Sequence, residues 1–77
     1  MAAETEPDAL LALSDALARL EQEFPRHAKA LELRYFGGLT LDEVGEALGV
    51  SAATAKRDWL FAQVWLARVL RDDATAQ

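Results

Sequence analysis

Two adjacent cations, Lys56 and Arg57, follow the short turn Gly49-Val50-Ser51 in the stretch LGVSAATAKRDWLFAQVWL, residues 48 to 66. An ammonium and a guanidinium placed early on a helix can neutralise phosphates or donate to O6 and N7 of guanine. Thr54 adds a hydroxyl that can reach a phosphate or a base edge. Leu60 donates nothing, yet it can lie against a thymine methyl. The stretch then becomes strongly apolar through Trp59, Leu60, Phe61, Val64, Trp65 and Leu66. It therefore supports two opposed uses, reading DNA and burial in protein. The plainer alternative for Lys56 and Arg57 is a basic pair that meets only solvent.

No other constellation points to chemistry. His27, the single histidine, has no Cys or Ser at a telling spacing and reads as a surface or helix-start residue. Asp42, Glu43 and Glu46 fall on the outer face of a short helix, where solvation is the default. There is no glycine-rich phosphate loop and no metal-ligand cluster. No catalytic residue, metal or cofactor is expected, and an enzyme is the weakest reading.

Charge separates the chain into unequal parts. The net charge is −5, which argues against indiscriminate binding of polyanions. Residues 1–50 carry ten acids against four bases, whereas residues 51–71 carry four bases against one acid. The only basic region is thus the stretch that carries Lys56 and Arg57. With 77 residues the chain has room for one small domain and no deep cleft. It lacks cysteine, so it has neither disulfides nor thiolate metal ligands. No apolar run approaches the roughly 18 residues of a membrane span, and the acidic N-terminus does not resemble an export signal. A cytoplasmic location away from membranes is the expectation.

Four helices must position these residues. Thr5-Glu6-Pro7-Asp8 opens the first with a hydroxyl cap, an early proline and acids at the positive end of the dipole. Leu10, Leu13, Leu17, Leu20 and Phe24 recur on one face. The helix should end near Glu23, because Pro25 disfavours helical geometry at Phe24. The spacing predicts a second helix from about Arg26 to Phe36, with Ala28, Leu31 and Tyr35 on a stripe and Leu33 and Phe36 beside it. Gly37-Gly38 stops it by supplying a left-handed turn. Thr40 and Glu43 form a capping box that opens a third helix, with Leu41, Val44 and Leu48 inward. Gly49 ends it, and Ser51 caps a fourth helix to about Arg71, with a stripe of Ala55, Trp59, Ala62, Leu66 and Val69. No alternating strand pattern occurs. The chain reads as a single domain over residues 1–77, with a core from about 8 to 72 and frayed termini.

The last two helices meet the demands of a helix-turn-helix. Their close crossing needs a small residue four positions before the turn glycine, and Gly45 stands there. Gly49 tolerates the positive φ of the turn. Val44, Leu48, Val50 and Ala55 flank it. An ordinary helical hairpin is the alternative. In a helix-turn-helix the first turns of the second helix reach the major groove, and here they present Ala53, Thr54, Lys56, Arg57 and Leu60.

The segment LELRYFGGLTLDEVGEALGVSAATAKRDW resembles region 4 of bacterial sigma-70-type RNA polymerase sigma factors, in particular the extracytoplasmic-function (ECF) group. FPRHAKALELRYF resembles that group's second-helix signature, and the likeness covers about residues 10–70. It implies an all-α, four-helix domain of winged-helix-like architecture without a wing. It also implies binding of the promoter −35 element through Thr40, Ser51, Ala53, Thr54, Lys56, Arg57 and Leu60. Docking on the flap of the RNA polymerase β subunit and sequestration by an anti-sigma factor are further implied. Region 2, which melts the −10 element in this family, is not found in the 77 residues. The chain is therefore expected not to initiate transcription alone, whether it is the C-terminal part of a longer factor or a stand-alone relative.

The chain departs from the family pattern in several places. Ala55 stands where a β-branched residue is usual, so the turn is pinned less tightly. Gly45 replaces the usual alanine, at a helix-propensity cost of about 1 kcal/mol. Leu60, Phe61 and Gln63 occupy places that are often basic or polar, which weakens electrostatic attraction to DNA. Two other readings compete. One is the helix-turn-helix domain of a LuxR/GerE-type regulator, which RYFGGLT and KRDWLFA fit less well. The other is a protein-interaction module that has lost DNA binding, favoured by the acidic balance and by Leu60, Phe61 and Trp65. Phe61 and Trp65, four residues apart, are expected to pack on the first helix rather than to form a partner surface, because so small a bundle needs its apolar side chains inside.

Overall fold

A computed structural model describes residues 7–75, and these form four α-helices: α1 Pro7–Glu23, α2 Pro25–Tyr35, α3 Leu41–Leu48 and α4 Ala52–Thr75. No strand, and hence no wing, occurs among the described residues. The expected Thr5 cap of α1 lies outside them. The break between α1 and α2 is a single residue. Phe24 adopts φ −140° and ψ 68°, as a residue before proline prefers extended backbone, and Pro25 then supplies the first turn of α2. α4 extends about one turn past the Arg71 expected from the sequence.

The core forms two clusters. Leu20, Ala28, Leu31 and Ala62 make the first, with Leu17, Phe24, Trp65 and Leu66 against it. Ala30, Val44 and Ala55 make the second, lined by Leu33, Leu39, Leu48 and Val50. Trp59 packs against both and joins them. Alanines at the contact points of α2 and α4 let the helix backbones approach closely. The α4 stripe is inward as expected, with Ala55 and Ala62 fully buried and Trp59, Leu66 and Val69 half-buried. Phe61 and Trp65 pack edge-on against Phe24, and Arg19 lies 5.5 Å from the centre of the Trp65 ring.

Three expectations about the core need correction. Leu10 and Leu13 are 62% and 39% exposed, so the inward stripe of α1 begins only at Ala16 and Leu17. Trp59 therefore packs against the cluster containing Leu20, while Leu13 stands outside it. Tyr35 and Phe36 are 67% and 76% exposed, because α2 ends at Tyr35 and the chain turns away before another helix can cover them. Of the glycine pair, only Gly38 takes a positive φ.

Candidate nucleic-acid interface

The candidate element is built from the turn outward. At the start of α3, the Glu43 backbone N–H donates to Thr40 Oγ1 at 3.2 Å, and the Thr40 N–H donates to Glu43 Oε1 at 2.8 Å. This reciprocal box fixes where α3 begins. At its end Gly49 takes φ 74°, which no side-chain-bearing residue adopts freely, and redirects the chain. Gly45 lies under that turn. A Cβ on it would stand 2.7 Å from the Val50 carbonyl oxygen and 3.2 Å from the Ser51 carbonyl carbon. The crossing of α3 and α4 is therefore closer than an alanine allows without movement. The Val50 N–H closes the turn by donating to the Gly45 carbonyl at 2.9 Å.

Ser51 starts α4. Its Oγ accepts the Thr54 N–H at 3.1 Å and donates to Thr54 Oγ1 at 3.1 Å. Ser51 is thus occupied with capping. Thr54 keeps its own hydroxyl proton for another acceptor. Beyond the cap, Ala53, Lys56 and Arg57 are exposed, Thr54 is half-buried, and Leu60 is 43% exposed. Thr40 and Ser51 are exposed at the adjacent helix starts. The seven residues expected to meet DNA therefore lie on α4's first turns and at the two caps. Lys56 and Arg57 form no ion pair with a carboxylate among the described residues.

Beside Arg57, on the inward side of the same turns, lies a residue that the sequence reading did not single out. Asp58 is only 3% exposed. Its carboxylate accepts from Arg26 Nε at 2.6 Å and from Arg26 Nη2 at 3.1 Å, and His27 Nε2 lies 3.3 Å away. The fork ties the first turn of α2 to the second turn of α4. Hydrogen bonding and charge attraction from Asp58 raise the Arg26 pKa above its already high ordinary value. A local signal existed: position 58 lies between Ala55 and Ala62 on the inward side of α4, where a carboxylate requires a partner. His27, expected at a surface or helix start, does begin α2, but it is partly buried against Asp58 and the Phe61 ring.

A second feature lies between α1 and α2. Glu32 has its pKa raised, first by burial and then by hydrogen bonding and repulsion from Glu21, while Lys29 acts weakly in the other direction. Glu21 and Glu32 also border a shallow groove of about 420 Å³ with Leu17, Ala18 and Phe36.

The family model for ECF sigma factors matches residues 1–72. The chain belongs to the ECF sigma factor family. Comparison with curated proteins and with solved structures gave no match. Membership makes this sigma factor a component of transcription initiation that works with RNA polymerase and promoter DNA, a role that is not enzymatic. It also decides against the LuxR/GerE alternative. No described helix of the sigma factor is long and apolar enough to cross a membrane.

Proposed function

We propose that these residues are region 4 of the sigma factor, reading the −35 element and docking on the β-subunit flap. The observation that carries this reading is the two-sided character of α4. Lys56 and Arg57 are exposed and unpaired one turn after a capped helix start, while Ala55 and Ala62 on the other side are fully buried. A helix held from behind and charged in front is what insertion into a major groove requires. Thr40 and Thr54 retain hydroxyl protons for phosphates, and Ala53 keeps the leading turn slim. Ser51 contributes the helix start, which favours a phosphate beside it. Leu60 offers a methyl-sized apolar contact to a thymine.

The flap needs an apolar seat, and the α1–α2 groove offers one. Phe36 lines it, and Leu10, Leu11 and Leu13 are exposed apolar side chains on the same helix α1. An anti-sigma factor is the third partner in this reading, acting by covering the α4 face or the groove.

The interaction-module reading retains one supporting observation, the strip of Leu60, Phe61 and Val64, which are 43%, 39% and 60% exposed. A reconstituted polymerase carrying the full-length factor separates the two. Replacing Lys56 and Arg57 together with Ala abolishes −35-dependent transcription if α4 reads DNA, and leaves it intact if the domain serves only as a protein contact.

A further inference from the structure

Within the reading helix sits a negative charge that should work against it. Asp58 adjoins Arg57 and is almost wholly buried. A buried carboxylate has lost most of its water, and its field reaches a nearby polyanion with little screening. Arg57, Asp58 and His27 border one concavity of about 530 Å³ on this side of α4. A carboxylate without a partner there would draw on Arg57, the guanidinium that DNA needs. Arg26 prevents both effects. It occupies both carboxylate oxygens through Nε and Nη2, and it carries the compensating charge. The consequence is visible in the pairing: Asp58 is taken by Arg26, and Arg57 has no carboxylate partner among the described residues.

We propose that Arg26 is a positioning residue for DNA reading, one that acts through Asp58 to keep the charge of Arg57 available to DNA. This rests on the assignment of α4 as the reading helix. The role differs from that of a structural tie. A structural tie predicts that Arg26→Ala loses helicity and DNA binding together, because it leaves a buried carboxylate uncompensated, whereas a charge mask predicts weaker binding by a chain that keeps its helicity. A charge mask is needed only while the charge is present. Deleting Arg26 should therefore be harmful, and deleting the Asp58 charge as well should relieve the harm. His27 is the weaker second partner, since it carries a full charge only when protonated.

The test measures binding of the full chain to a fluorescein-labelled duplex that the wild-type chain has itself enriched from a random-sequence pool, with helicity followed in parallel. Arg26→Ala is expected to weaken binding about five- to tenfold, the order of one uncompensated charge near a binding surface. Arg26→Ala combined with Asp58→Asn is expected to recover most of that loss. Arg26→Gln serves if the alanine variant does not fold, because it keeps an N–H donor on a shorter, uncharged side chain. A double variant that binds as weakly as Arg26→Ala overturns the proposal, as does a folded Arg26 variant that binds like wild type. Arg57→Ala distinguishes the underlying assignment: if it binds like wild type, the reading helix itself is misassigned. If it binds weakly while the Arg26 variants do not, only the masking role is lost.

Discussion

The guanidinium of Arg34 lies over the indole of Trp59, 4.9 Å from the ring centre, while its Nη1 donates to the Leu39 carbonyl at 2.8 Å. One side chain thereby connects the end of α2, the loop leading into α3 and the residue of α4 that joins the two core clusters. Arg26 holds the neighbouring Asp58 from the other end of α2. The second helix thus grips the fourth through two arginines, at consecutive positions of α4.

Arg34→Lys should not be conservative. An ammonium cannot both stack on the indole and hold the planar fork that reaches Leu39. The expected loss is about 1–2 kcal/mol, from a weakened cation–π contact and one hydrogen bond. Urea unfolding followed by circular dichroism measures it. An unchanged midpoint would show that an ammonium serves at this position as well as the guanidinium does.

Gly45→Ala places two effects in opposition. Alanine gains about 1 kcal/mol of helix propensity over glycine. Its Cβ, however, would stand 2.7 Å from the Val50 carbonyl oxygen, and that neighbour is backbone within a hydrogen-bonded turn. Backbone yields less readily than a side-chain tip, so the net effect should be a lower melting temperature by several degrees, or about 1–2 kcal/mol. The turn should also shift, so DNA affinity should fall with it. A higher melting temperature would mean that propensity, not the crossing, governs this position.

What the sequence made legible was mostly local. Thr40 with Glu43, Gly49 and Ser51 announce helix ends by their own chemistry within a few residues, and all act as that chemistry requires. The outward set on α4 followed from helical spacing alone. What was not legible depended on contacts between distant positions. Arg26 and Asp58 are 32 positions apart, and nothing in a local pattern pairs them. Leu10, Leu13, Tyr35 and Phe36 fit an apolar stripe, yet periodicity says which face a residue is on and not whether another helix reaches it. α2 has 11 residues against 17 in α1, so it is shorter by about 9 Å.

Glu32 makes stability depend on pH in an unusual direction for a carboxylate. In the unfolded chain it titrates in the ordinary range, and in the fold burial and Glu21 raise its pKa. Below the ordinary range both states are protonated and Glu32 costs nothing. As pH rises through the raised folded value the carboxylate ionises in an unfavourable place, and that stability is lost. Gln mimics the protonated form, and the Glu32 side chain is itself 36% exposed, so solvent screens much of the effect: Glu32→Gln should raise the melting temperature at pH 7 only slightly and leave it unchanged near pH 4. Lys29 lies 3.8 Å from Glu32 but is 58% exposed, and such a pair is worth too little to reverse the sign. Thermal melts across that pH range decide the matter, and a lower melting temperature for the variant at pH 7 would refute the argument.

The proposed division of α4 between DNA reading and burial should be exposed by salt dependence. The isolated chain offers few free cations to DNA and carries a net charge of −5, so few counterions can be released on binding. The slope of log affinity against log salt should accordingly be shallow, equivalent to about two to four phosphates. Removing Lys56 and Arg57 should lower that slope by about two and leave the melting temperature nearly unchanged, since both side chains are exposed and unpaired. Leu20→Ala should do the reverse. Leu20 is fully buried in the cluster that Ala62 of α4 completes, so its truncation costs about 2–5 kcal/mol. Any of that variant still folded should bind with the wild-type slope, because no cation has been lost. Weak affinity of the bare domain is compatible with function in the polymerase, where tethering raises its effective concentration at the promoter. Anisotropy titrations at several salt concentrations provide the slopes. If the doubly substituted protein kept the wild-type slope, its phosphate contacts would have to come from elsewhere than α4.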